Sequence, residues 1–100
     1  MNGSAMDPLK ALHNVTDYRS FLLFVRTLAN DWEDEVAKEK LQPSDDYGPG
    51  ANGWENGTIG AYLDAALRSQ TDGVSVHEMQ DQQPSWRWFA EFLIGGKYYE

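Results

Sequence analysis

From Tyr18 onward, apolar residues return every third or fourth position, through Phe21, Leu22, Val25, Leu28, Ala29, Trp32 and Val36. That is the period of an amphipathic helix, predicted here from Thr16 to about Lys40 with a break near Asn30. Ahead of it, Asp7-Pro8 suits the start of a short helix reaching His13, because Asp accepts from orphan amides and Pro is pre-organised for a first helical position. From Leu41 to Gly57 the periodicity stops. Pro43, Gly48, Pro49, Gly50, Gly53 and Gly57 punctuate a polar stretch predicted as one long loop, with Trp54 as the anchor expected to tuck into the core.

Thr58 is expected to cap a helix in which Ile59, Tyr62, Leu63, Ala66 and Leu67 form a stripe and Asp64 pairs with Arg68 one turn on. Asp72-Gly73 ends it. Val74, Val76 and Met79 then alternate with Ser75, His77 and Glu78, a pattern that permits a short strand. Pro84-Ser85 opens the last helix, expected to run to Ile94 and stop at Gly95-Gly96. Trp86, Phe89, Ala90 and Leu93 share one of its faces, while Trp88 and Phe92 lie on another. A helix apolar nearly all round either sits at the centre of a bundle or offers a second apolar face to a partner.

The expected fold is mainly α: a small single-domain bundle of three to four helices with one long Gly/Pro-rich loop. The alternative is α+β, with a short strand near Val74–Met79. Residues 8–100 form one helical domain, and Met1–Asp7 (MNGSAMD) reads as a tag remnant or disordered start.

Composition narrows the function. With 100 residues, 41% of them apolar and 13% aromatic, the chain can fill one core and is not disordered throughout. It has no Cys, which removes disulfides, thiolate metal sites and a cysteine nucleophile. No apolar run approaches the roughly 20 residues of a membrane span, and the start lacks a signal peptide, so a cytoplasmic location is expected. Eight basic and sixteen acidic residues give a net charge of −8, the wrong sign for nucleic acid or an anionic membrane surface. The charge suits a basic protein partner, or simply a solvated surface.

The chain carries few signatures of chemistry. The glycines of Gly48 to Gly53 are spaced as in a phosphate-binding loop, but Trp54-Glu55 stands where Lys followed by Ser or Thr is needed. His13 and His77 match no metal-ligand pattern. No carboxylate pair is singled out for acid–base work. Neither catalytic residues nor metal or cofactor sites are therefore expected. Asp31, Glu33, Asp34, Glu35, Glu39, Asp45 and Asp46 concentrate negative charge, either to steer a basic partner or as a solvated face with an Asp34–Lys38 pair. Trp88 and Phe92 lie off the main stripe, and Tyr98-Tyr99 read as tail residues beside a glycine hinge. The expected partner-binding set is Asp45, Asp46, Trp88, Phe92, Tyr98 and Tyr99.

Three segments resemble an uncharacterised bacterial domain family: Tyr18-x-x-Phe21-Leu22-x-Phe24-Val25-x-x-Leu28, Trp54-Glu55-Asn56-x-Thr58-Ile59-x-x-Tyr62-Leu63, and Ser85-Trp86-x-x-Phe89-Ala90-x-x-Leu93 with the ending Tyr99-Glu100. The likeness covers roughly Val15 to Glu100 and implies signature positions at Trp54, Asn56 and Trp86, read as structural. The long glycine-rich stretch from Gly48 to Gly57 departs from that pattern. No activity comes with the resemblance.

The expected function is a non-enzymatic protein-binding module of the immunity or antitoxin kind. Two alternatives stand beside it. One is a small-molecule-binding or hydrolytic domain with a pocket near Trp54, Tyr62 and Glu55; the other is a self-associating structural domain paired through its last helix.

Overall fold

A computed structural model describes residues 7–73 and 85–100. In chain order the elements are α1 (Pro8–His13), α2 (Tyr18–Leu41), α3 (Ile59–Thr71) and α4 (Trp86–Tyr98). The fold is mainly helical, and no strand occurs among the described residues. The proposed strand at Val74–Met79, with His77, falls outside them.

Each helix begins where a short polar side chain can accept from its exposed amides. Asp7 accepts from Leu9 N–H, Asp17 from Ser20, Thr58 from Ala61 and Ser85 from Trp88. At α2 the cap is reciprocal, because the Ser20 hydroxyl also accepts from the Asp17 amide. That places the start at Tyr18, two residues beyond the expected Thr16. No break occurs near Asn30: α2 runs unbroken for 24 residues. α3 ends as expected, at Asp72 with Gly73 in the left-handed region at φ +81°.

α4 is the centre of the bundle. It packs against α1, α2 and α3, whereas α2 and α3 do not approach each other. The core joins Ala11, Leu12 and Val15 to Phe24 and Leu28 of α2, Ala90 and Ile94 of α4, and Trp54 from the loop. Arg87 ties the N-terminal end of α4 to α1 by donating to the His13 carbonyl at 2.8 Å.

Gly95-Gly96 does not stop α4, which continues to Tyr98. The glycines serve packing. A Cβ on Gly95 would overlap the Ser69 side chain, and one on Gly96 would overlap the Tyr62 ring. α3 therefore crosses α4 where α4 has no side chains, and the buried Ala65 and Ala66 keep the α3 side equally small. Tyr62 closes the crossing by donating its hydroxyl to the Leu93 carbonyl at 2.6 Å, and burial pushes its pKa up to about 12.

The inner face of α2 is also rotated from the expected stripe. Phe24, Thr27, Leu28 and Glu35 are its buried residues, while Tyr18, Leu22 and Ala29 are exposed. Glu35 is buried because the long loop folds over its side of α2, and Tyr18, Leu22 and Ala29 are exposed because α3 does not reach them.

Candidate functional site

Asp31, Glu35 and Glu39 follow one another at four-residue spacing and so share one face of α2. The loop from residue 42 to residue 58 folds back over that face. Loop backbone that turns inward needs acceptors for its N–H groups, and the three carboxylates supply them. Glu39 accepts from the Ser44 amide at 3.0 Å, its hydroxyl at 2.6 Å and the Ala51 amide at 3.2 Å. These bonds hold the Glu39 carboxyl below its usual range, with the Ser44 hydroxyl the largest cause. Glu35, only 5% exposed, accepts from the amides of Asn52 at 2.9 Å and Trp54 at 3.2 Å. A Cβ on Gly50 would overlap this carboxylate. Gly53 turns the chain at φ +88° just before Trp54.

Asp31 forms the centre of the seam. One oxygen accepts from the Trp54 indole N–H at 2.8 Å and from the Lys97 ammonium at 2.6 Å. Lys97 is 2% exposed and lies 5.5 Å from the Trp54 ring and 4.7 Å from the Tyr98 ring. Burial pulls its pKa down, but the hydrogen bond it donates to Asp31, with contributions from Tyr98, outweighs this and leaves the ammonium above its ordinary value. The Asn52 amide bridges the Asp31 carbonyl and the Asp34 carboxylate at 3.0 Å each. Asp34 also pairs with Lys38 at 2.9 Å, as its spacing predicts.

The sequence leaves the acidic segment either steering a partner or forming a solvated face. In the structure, Asp31, Asp34, Glu35 and Glu39 bind the protein's own loop and last helix. Among the described residues no group of His, Asp and Glu is arranged to hold a metal ion. Asp45 and Asp46 stand apart from the seam, exposed at the outer turn of the loop beside the fully exposed Tyr47.

The remaining sequence-derived residues are dispersed. Trp88 and Phe92 are partly buried and stack on each other at 5.7 Å. Tyr98 closes α4 and Tyr99 is its C-cap, so neither is a tail beyond a hinge. The Tyr99 hydroxyl donates to Asp72, which raises its pKa, and its ring lies 5.5 Å from the Arg68 guanidinium. Asn56 donates to the carbonyls of Gly96 at 3.0 Å and Tyr99 at 2.8 Å, pinning the start of α3 to the end of α4. Trp54 is buried as expected, whereas Trp86 is 38% exposed and packs against Tyr18 and Phe21.

Beside the seam lies a groove of about 360 Å³ that separates α2 from α3. Val25, Leu28, Ala29 and Trp32 form its α2 wall, Ile59, Tyr62 and Leu63 its α3 wall, and Leu93 and Trp54 complete it. The Trp32 and Trp54 rings meet edge to face at 5.2 Å. The lining contains no carboxylate, and Glu55 is not part of it. Two of its few polar side chains, Asn56 and Tyr62, already donate to α4 carbonyls.

Apolar exposure continues beyond the groove. On α2, Tyr18, Leu22, Val25, Ala29 and Trp32 follow at three- and four-residue spacing. On α3, Ile59 is 81% exposed and is followed one and two turns later by the exposed Leu63 and Leu67. Sequence periodicity found these side chains but assigned them to the core.

A model of a family of unknown function (DUF7660) matches residues 17–100. The chain belongs to this family. The match covers α2, the loop, α3 and α4, and thus every residue of the seam and groove, while α1 lies before it. No curated protein and no solved structure matches the chain. No helix among the described residues is long and apolar enough to cross a membrane.

Proposed function

We propose that the chain is a non-enzymatic protein-binding module that seats its partner in the groove between α2 and α3. The observation that carries this reading is the exposed apolar stripe along α2 and α3. Tyr18 and Leu22 of α2 and Ile59, Leu63 and Leu67 of α3 together expose on the order of 600 Å², approaching the ~800 Å² each partner buries in a standard interface. A patch of this size on a small protein is a recognised mark of an interaction site.

Two supports narrow the reading. The groove lining offers the aromatic side chains of Trp32, Trp54 and Tyr62, a residue type that dominates binding energy when desolvated. The net charge of −8 favours encounter with a basic partner. An immunity or antitoxin role, in a bacterial cytoplasm, is the specific form of this reading. A hydrolytic role centred on Glu55 gains no support from a groove lined by its neighbours Trp54 and Asn56 but not by Glu55 itself.

The test is co-purification of the tagged protein from its source organism at moderate salt, run in parallel with the Ile59→Glu/Leu63→Glu variant. A partner present in near-equal amount with the parent chain and lost with the variant is the expected result. A partner retained by the variant overturns the groove as the binding face.

A further inference from the structure

We infer that the partner element seated in the groove is an amphipathic α-helix with an aliphatic inner face and basic flanking residues. This rests on the groove being the binding face, and four features argue for it.

The first is the backbone chemistry of the walls. The long walls, Val25 to Trp32 of α2 and Tyr62-Leu63 of α3, are helix faces whose amides and carbonyls are bonded internally, and of the short loop floor Asn56 donates its side chain to α4, as does Tyr62. An extended segment entering such a groove would leave its own N–H and C=O groups without partners. A helix brings them already paired.

The second is length. The α2 stripe from Tyr18 to Trp32 spans about 21 Å at roughly 1.5 Å per residue, or nearly four helical turns. A small molecule filling only the enclosed part would leave most of that stripe in water. The groove takes the central side chains of a helix, and the stripe carries the rest.

The third is shape. A two-fold contact between copies must bring the same patch against itself, and a concave groove does not complement its own concavity. Convex aliphatic side chains at three- and four-residue spacing do.

The fourth is charge. Each copy carries −8, so two copies repel, while a helix flanked by Lys and Arg is attracted.

The probes are three synthetic peptides of about 14 residues, enough for nearly four turns. One places Leu at helical period among Lys, the second replaces every Lys by Glu, and the third has the composition of the first in strict alternation. Each is titrated into the intact chain, with binding read by calorimetry and helix formation by circular dichroism. The helical Leu/Lys peptide is expected to bind at least roughly tenfold more tightly than the other two, becoming helical as it binds. The Ile59→Glu/Leu63→Glu chain is expected to lose that affinity although its added charge alone would raise it. Its unfolding midpoint serves as the control for folding.

Equal binding of the alternating peptide, or undiminished binding to the variant, overturns the inference. If the natural partner depends on Ile59 and Leu63 but engages through a non-helical or acidic segment, the helix falls and the groove stands. If the natural partner ignores both residues, the groove reading itself falls.

Discussion

α2 carries two long faces that reverse the usual relation between polarity and exposure. One holds Asp31, Glu35 and Glu39, and the protein covers it with its own loop and Lys97. The other holds Leu22, Val25, Ala29 and Trp32, and lies open or only partly covered beside α3. A carboxylate can lie inside when amides and an ammonium point at it, because each hydrogen bond offsets part of the water it gives up. Apolar side chains need no such matching and can lie outside wherever no second helix reaches them. The difference teaches that, beside the buried Phe24 and Leu28, a row of carboxylates on this helix marks a packed face and a row of apolar side chains an open one.

The sharpest way to break the acidic side is Lys97→Met. It leaves the Asp31 carboxylate with the Trp54 indole but without its cation, and we expect a loss of about 3–5 kcal/mol in urea unfolding. Adding Asp31→Leu to Lys97→Met should recover part of that loss, since the uncompensated charge goes with it. A double variant no more stable than the single one would show that the ion pair does not set the cost. Gly96→Ala comes next, at about 1–3 kcal/mol, because its Cβ meets the Tyr62 ring at the α3–α4 crossing. Thermal melts of this variant would read the loss, and an unchanged midpoint would mean that the ring swings aside freely.

Changes of pH test the seam and the α3–α4 packing without mutation. The folded-state pKa values of Lys97, Tyr62 and Tyr99 are raised, so their stabilisation is complete below the unfolded values near pH 10 and is lost as pH climbs through the folded ones. Those of Asp34 and Glu39 are lowered, so their stabilisation is complete above about pH 4–4.5 and is lost as pH falls through the folded values. Melting temperature is therefore expected to hold a plateau between these limits. The alkaline edge should be steeper, since Tyr62 and Lys97 lie deeper than the acids. A melting temperature that falls steadily across the neutral range would contradict this.

The smallest stability effect belongs to the open face. Ile59→Glu/Leu63→Glu should leave the unfolding free energy within about 0.5 kcal/mol per site while removing partner binding. Charge reversal at Asp45 and Asp46 should likewise leave stability unchanged, since both lie outside the seam, and should slow association only modestly.

Local chemistry was readable in the chain. Asp7-Pro8 and Thr58 announced their helix starts, and Asp34–Lys38 and Asp64–Arg68 formed where their spacing placed them. Trp54 returned the loop to the core as its size required. What escaped depends on two segments meeting. Gly95-Gly96 resembles a helix stop until α3 is seen lying across it. Glu35 resembles a solvent-facing charge until the amides of Asn52 and Trp54 are seen aimed at it. One signal was available: Asp31, Glu35 and Glu39 stand in one row just before a loop rich in glycine, whose backbone donors must find acceptors if the loop packs. Lys97, set among Phe92, Leu93, Ile94 and two tyrosines, was the matching cation.

The seam also fixes an order of events in folding. Trp54 hydrogen-bonds to a carboxylate that shares its oxygen with Lys97, a residue 66 positions further along the chain than Asp31. Contacts this distant in sequence close slowly, because the intervening chain must first be gathered in. While the chain is being synthesised, α2 and the loop can form and supply Glu35 and Glu39 with their donors, but Asp31 lacks its cation until α4 arrives. The Trp54 indole is then expected to complete its burial as Lys97 is seated, and a variant that keeps Trp54 as its single tryptophan would make that fluorescence a clock for the last stage of folding.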